Sequence, residues 1–268
     1  MMNRYLNLII LILAVVFAGC NNQKSSKQLE KGFDDVVVDD AVKMIEKYPM
    51  PSSYEMIEFL NNSGAGYVFD ITNPAENVSN YISYRQKSIN LGVYAADLIY
   101  TITYQKNDET AVYLDNFVQL VEDLEISNLN REFFQSVQSN LDNKDSLLIL
   151  IKNAQYDTHK NLEENNKNEV ALYALAGSWI EGMYLMSATL KFAENQQAIY
   201  EKMLQNRSSL NDLLMVMSPY KEEAGFQELY QSLANLMGMI NNAHEGRKKE
   251  EKLVEIKNYI TDLRNSLI

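Results

Sequence analysis

Two carboxylates stand alone in stretches that otherwise carry no charge. Asp97 is the only charged residue between Lys87 and Lys106, and Glu181 the only one between Glu169 and Lys191, in "VALYALAGSWIEGMYLMSATL". A helix that is apolar on every side is a buried helix. An ionised carboxylate inside one costs several kcal/mol or more unless it is paired or neutralised by a raised pKa. Each acid therefore needs partners. By helical spacing Tyr94, Thr101 and Tyr104 share or flank the face of Asp97, while Ser178 and Tyr184 flank Glu181. Arg85 is the nearest upstream cation, with Arg131 and Arg207 farther away.

Two kinds of chemistry follow from such a pair. Tyrosine hydroxyls, backbone amides or an arginine could satisfy the acids internally and fix helix register. Alternatively, Asp97, Glu181, Tyr94, Tyr100, Tyr104, Trp179, Tyr184 and Arg85 could line one polar pocket that holds a ligand. Two acids are also the minimum for glycoside hydrolysis, so a two-carboxylate hydrolase is a further expectation, testable by how far apart the carboxyl groups lie.

Other chemistries lack their residues. The two histidines, His159 and His244, have no Glu three residues before them, so neither the helical di-iron pattern nor HExxH is present. Neither G-x-S-x-G, a Walker loop nor a dinucleotide fingerprint occurs, and Ser178 in "AGSW" has no histidine nearby to act as base. The expectation is no metal site, no cofactor and no catalytic nucleophile. Stripes of Met and Tyr at helical spacing read as core packing.

The elements that must position the two acids are helices. Only 10 Gly and 4 Pro occur in 268 residues, and the prolines cluster at Pro49, Pro51 and Pro74 before a lone Pro219. "DDVVVDD" and "GYVFDIT" are too few to build a sheet. Periodicity and caps predict helices over 34–47, 52–60, 89–105, 109–124, 130–141, 144–162, 167–204, 209–217, 221–242 and 247–267. Asn73, Pro74 and Glu76 carry the signature of a further helix start, with Asn73 as its cap. Ala174, Ser178 and Gly182 form one smooth stripe, and Gly92 with Ala96 another, which favours close approach of the two quiet helices. The fold class is all-α: an irregular multi-helix bundle, or a stack of antiparallel helical hairpins, around two apolar central helices. No repeat of tetratricopeptide type recurs. A single helical domain is expected over 34–268, with 34–142 and 143–268 as its two lobes.

The front of the chain, "MMNRYLNLIILILAVVFAGC", has a basic start at Arg4, an apolar run and small residues before Cys20, the layout of a secretory leader over 1–19. "FAGC" resembles a bacterial lipobox with Phe17 in place of the usual Leu, and Cys20 is the only cysteine, so the expectation is lipidation at Cys20. Residues 20–33 read as a flexible tether. Asn21 after the cysteine resembles lipoproteins sorted to the outer membrane. The chain has a formal charge of −12, one unit more negative once Arg4 leaves with the leader. That acidity argues against nucleic acid and against a broad anionic-lipid footprint. The expected partners are the membrane, through Cys20, and an unknown protein or small molecule.

The run "YPMPSSYEMIEFLNNSGAGYVFDITNPAENVSNYISYRQKSINLGVYAADLIYTITY", with "LAGSWIEGMYL", resembles an uncharacterised group of all-helical lipoproteins of Gram-negative bacteria. "LGVYGADLxY" and "GGWxEGxY" blocks recur in that group. The resemblance covers most of the mature chain and implies a helical fold and an envelope location. It implies no reaction. The leading functional expectation is thus a lipid-anchored envelope domain that binds a partner or small ligand without catalysis. A two-acid hydrolase and a purely structural spacer are the alternatives.

Overall fold

A computed structural model describes residues 53–126, 131–164, 167–245 and 249–268. The leader, Cys20, the tether and the helix expected over 34–47 lie outside the described residues. The described part is all-α and 80% helical, with no strand. Its ten α-helices are α1 (Ser53–Asn62), α2 (Tyr84–Thr103), α3 (Asn107–Asp123), α4 (Arg131–Ser139), α5 (Lys144–Glu164), α6 (Asn168–Thr189), α7 (Gln196–Gln205), α8 (Arg207–Met217), α9 (Gln227–Glu245) and α10 (Lys249–Asn265). These residues fall within one compact unit.

The two charge-poor segments are the central helices, α2 and α6, and they pack more extensively on each other than any other pair. Every α2 residue from Ser88 to Thr103 is buried. Small residues make the contact close. A Cβ on Gly92 would stand 1.9 Å from the Ala174 carbonyl oxygen, and one on Gly177 would stand 2.1 Å from that of Ile89. Glycine at these two positions lets backbone meet backbone. Apolar side chains then pack on both flanks: Trp179, Phe226 and Leu233 on one, Leu98, Phe117 and Leu120 on the other. α3 and α5 cover α2, whereas α1 and α10 cover α6.

Local signals explain where helices begin and where sequence expectations fail, the helix expected from 89 starting already at Tyr84. Ser83 starts α2 with a full capping box, its hydroxyl accepting from Gln86 N while the Gln86 side chain accepts from Ser83 N. The expected cap at Asn73 does not form. Ala75–Asn80 is a short 3-10 helix without a side-chain cap, because Asn73 is drawn into the interior. The helix expected over 167–204 is broken after Thr189: Leu190–Phe192 is a 3-10 turn, Ala193 is extended, and the Asn195 side chain restarts the chain as α7 by accepting from Ala198 N at 3.0 Å. Likewise, 221–226 is turn rather than helix, so α9 begins at Gln227. No described helix is long and apolar enough to cross a membrane.

Candidate functional site

Asp97, at the middle of α2, and Glu181, at the middle of α6, are each 0% exposed. The close approach of the two helices brings their carboxyl groups near enough that each bears on the other's ionisation. The cation that meets them is Arg264, in the last turn of α10. Its Nε donates to Glu181 Oε2 at 2.9 Å and its Nη2 to Oε1 at 3.1 Å, a two-pronged pair buried at both ends. The same Nη2 reaches the Ile71 carbonyl at 3.4 Å. The Tyr184 ring lies under the guanidinium, 4.4 Å from centroid to Cζ.

Charge counting decides the protonation state. Two buried carboxyl groups face one guanidinium, and arginine does not deprotonate in proteins. Were both acids ionised, the single guanidinium of Arg264 would balance only one of two charges that are 0% exposed, the costliest arrangement available. Glu181, gripped on both oxygens by Arg264, is the anion. Asp97 receives one N–H, from the Asn73 backbone to Oδ2 at 3.0 Å, and its Oδ1 has no donor. A proton on Asp97 turns that orphan oxygen into a donor toward Glu181 and leaves the cluster neutral. The perturbations agree in direction. Burial first, and the Glu181 charge second, push Asp97 well above the usual carboxylate range, against a smaller pull from Arg264 and the Asn73 N–H. Burial pushes Glu181 up as well, but there Arg264 opposes it directly through charge and hydrogen bonds.

Around this core, α2, α3 and α10 hold the segment between α1 and the 3-10 helix by its backbone. Tyr104 donates to the Ala65 carbonyl at 2.8 Å, and the Tyr100 hydroxyl accepts from Val68 N at 2.9 Å. Tyr113 bonds Thr72 Oγ1 at 2.6 Å and reaches the Asn73 carbonyl at 3.1 Å. Tyr94 donates to the Pro74 carbonyl at 2.9 Å, and Asn116 to that of Ala75 at 2.9 Å. The Asn73 side chain bonds Tyr81, Asn90 and Asn77, and Asn90 in turn donates to the Leu267 carbonyl at 2.8 Å. Burial raises the phenol pKa values of Tyr94, Tyr100 and Tyr113. They are neutral donors and acceptors here.

Of the residues singled out from sequence, Asp97 and Glu181 meet, Tyr184 reaches them through Arg264, and Tyr94 lies beside the loop that Asp97 holds. Tyr100 and Tyr104 belong to a separate aromatic group with Tyr67, the Tyr67 and Tyr100 rings stacking 5.0 Å apart. Trp179 turns away, donating to Ser209 Oγ at 2.9 Å. Arg85 is not the partner cation. It lies against the Tyr173 ring, 5.9 Å from the centroid, near the start of α2 rather than at its middle. Arg207 bonds Asn241 instead. Sequence reasoning missed Arg264, Asn73, Tyr81 and Tyr113. A signal for Arg264 exists: Ile256 and Ile260 are buried, and Arg264 continues their i+4 stripe.

Neither a protein-family model, a curated protein nor a solved structure matches this chain. Among the described residues no group of three or more His, Cys, Asp or Glu is placed to hold a metal ion. What the arrangement can do chemically is hold helices together. Both Glu181 oxygens are taken by Arg264, and neither acid is exposed to a substrate.

Proposed function

We propose that the protein is a lipid-anchored domain of the cell envelope that works by binding a partner through its surface, and that Asp97 and Glu181 serve its architecture. The observation that carries the second half is the pairing of Glu181 with Arg264 at 0% exposure of both acids. Carboxyl groups in a retaining glycosidase stand ~5 Å apart, and farther apart still in an inverting one, with the sugar between them. Here both carboxyl groups are shut inside the helix contact and Arg264 occupies both oxygens of one, which speaks against the hydrolase alternative. The anchored half rests on the leader, on "FAGC" with its single cysteine, on the polar tether and on the resemblance to helical envelope lipoproteins.

Membrane fractionation with mass analysis of the N-terminal peptide tests the anchor. A wild-type chain acylated on Cys20 and sedimenting with membranes, and a Cys20→Ser chain that is soluble, are the expected results. An unmodified Cys20 on a soluble chain would overturn the anchor. Turnover of a glycan or peptide that disappears in a folded Asp97→Asn variant would overturn the non-catalytic reading.

A further inference from the structure

The buried polar groups around Asp97 are spent on one loop, and that loop presents an exposed aromatic. Phe69 is 66% exposed, next to Asp70, which adopts a left-handed backbone (φ 60°) that non-glycine residues rarely take. Immediately before them Val68 is fixed by Tyr100, and immediately after them Ile71 to Asn73 are fixed by Arg264, Tyr113 and Asp97. An apolar tip held this firmly on both sides loses little conformational entropy when it docks. α3 runs alongside this segment. Its residues Glu109, Tyr113 and Asn116 all bond the loop segment, and Val112, on the same helical stripe, is 45% exposed beside them. The exposed charges of these elements are acidic: Asp70 and Glu76 follow the tip in the chain, Asp108 and Asp115 lie on α3 within one turn of Val112, and Lys106 lies over the Tyr67 ring.

We infer that Phe69, Asp70 and Val112 form a preorganised docking site for a partner protein that offers an apolar side chain flanked by lysine or arginine. Charge complementarity selects that occupant. A site with an apolar centre and a rim of carboxylates, on a chain with an excess of acids, repels acidic surfaces and draws basic ones. The inference rests on the reading of the protein as a surface-binding domain and names the place and the chemistry of the contact. It gives the Asp97–Glu181–Arg264 cluster a role beyond stability, because the cluster holds the backbone that presents Phe69.

The test is a fluorescence-anisotropy titration of the mature chain with two sets of synthetic peptides. One set carries a Leu or Phe between Lys and Arg residues, the other the same apolar residue between Asp and Glu. Expected are saturable, salt-sensitive binding of the basic set only, at least tenfold weakening in Phe69→Ser and in Asp70→Asn, and wild-type binding in Met215→Ser, an equally exposed apolar residue on α8 (63%). Unchanged melting temperatures in the three variants show that the surface alone was altered. Failure of the basic peptides to bind, equal binding of the acidic set, or binding unaffected by Phe69→Ser would overturn the docking site. The anchoring experiment on Cys20 stands or falls separately.

Discussion

Replacing Arg264 with methionine removes the one cation of the buried cluster while keeping a long apolar stem in its place. The variant loses both Glu181 hydrogen bonds, at 2.9 and 3.1 Å, and leaves Glu181 without a counter-ion at 0% exposure. Breaking a buried pair in this way costs about 3–5 kcal/mol at neutral pH. The pH dependence is more diagnostic than the size. In the wild type the folded cluster retains one proton, on Asp97, that the unfolded chain sheds above its ordinary carboxylate pKa of about 4. Its contribution is therefore full below that pH and is lost as pH rises toward the elevated folded pKa, at about 1.4 kcal/mol per pH unit. In Arg264→Met the folded state must neutralise Glu181 as well, so it retains two protons and the decline is about twice as steep, roughly 2.7 kcal/mol per unit. The penalty relative to wild type should thus be only about 1–2 kcal/mol at pH 5 and grow to the 3–5 kcal/mol range at pH 7. Urea unfolding followed by far-UV circular dichroism at pH 5, 6, 7 and 8 measures it. If the variant is unfolded at pH 7, recovery of helix at pH 5 answers the same question. A penalty that is constant with pH, or under about 1 kcal/mol at pH 7, would refute the neutral three-residue cluster.

The remaining expectations concern the α2–α6 interface, with a glycine of α9 for contrast. Gly92→Ala should destabilise by roughly 3 kcal/mol, because its Cβ would overlap the Ala174 carbonyl at 1.9 Å and the helix cannot yield without separating α2 from α6; Gly238→Ala, with nothing within 4 Å, should instead stabilise α9 by up to about 1 kcal/mol, both read from urea midpoints. Asp97→Asn keeps a neutral side chain of the same shape and needs no proton to stay neutral, so its stability should lie within about 1.5 kcal/mol of wild type at about pH 4 and exceed it by a margin that grows by about 1.4 kcal/mol per pH unit above that, making the variant the more stable protein at pH 7. A loss on the scale of Arg264→Met at pH 7 would show that Asp97 acts as an anion.

The buried central helices were legible in the sequence because burial excludes charge, and a long helical run that carries a single acid has no polar face to turn toward water. Helix type and most boundaries followed from caps and from the scarcity of Gly and Pro. What local reasoning could not supply was the third member of the cluster. Arg264 lies 83 residues from Glu181 in the chain, on a helix whose charged composition reads as solvent-facing, and closer arginines competed for the role. Asn73 misled for a different reason. Asn-Pro with Glu two residues after the proline is a sound helix-start signature, yet bonds to Asp97, Tyr81 and Asn90 outweigh one local cap. The break between α6 and α7 was hidden by a continuous helix-forming composition, with only the Asn195 cap to mark it.

The cluster also ties distant parts of the chain to one point. Glu181 belongs to α6, Asp97 to α2, Arg264 to α10, and the Ile71 and Asn73 backbones to the loop that carries Phe69. Loosening any member should relax the loop as well as the helices, which links interior charge to surface recognition.

The most direct test is the protonation state of Asp97 itself, read from the carboxyl carbon resonance of the chain labelled with carbon-13 in aspartate. One aspartate signal should sit at the protonated position at pH 7 and be absent from the Asp97→Asn spectrum. If every aspartate carbon is at the ionised position at pH 7, the shared-proton cluster does not exist.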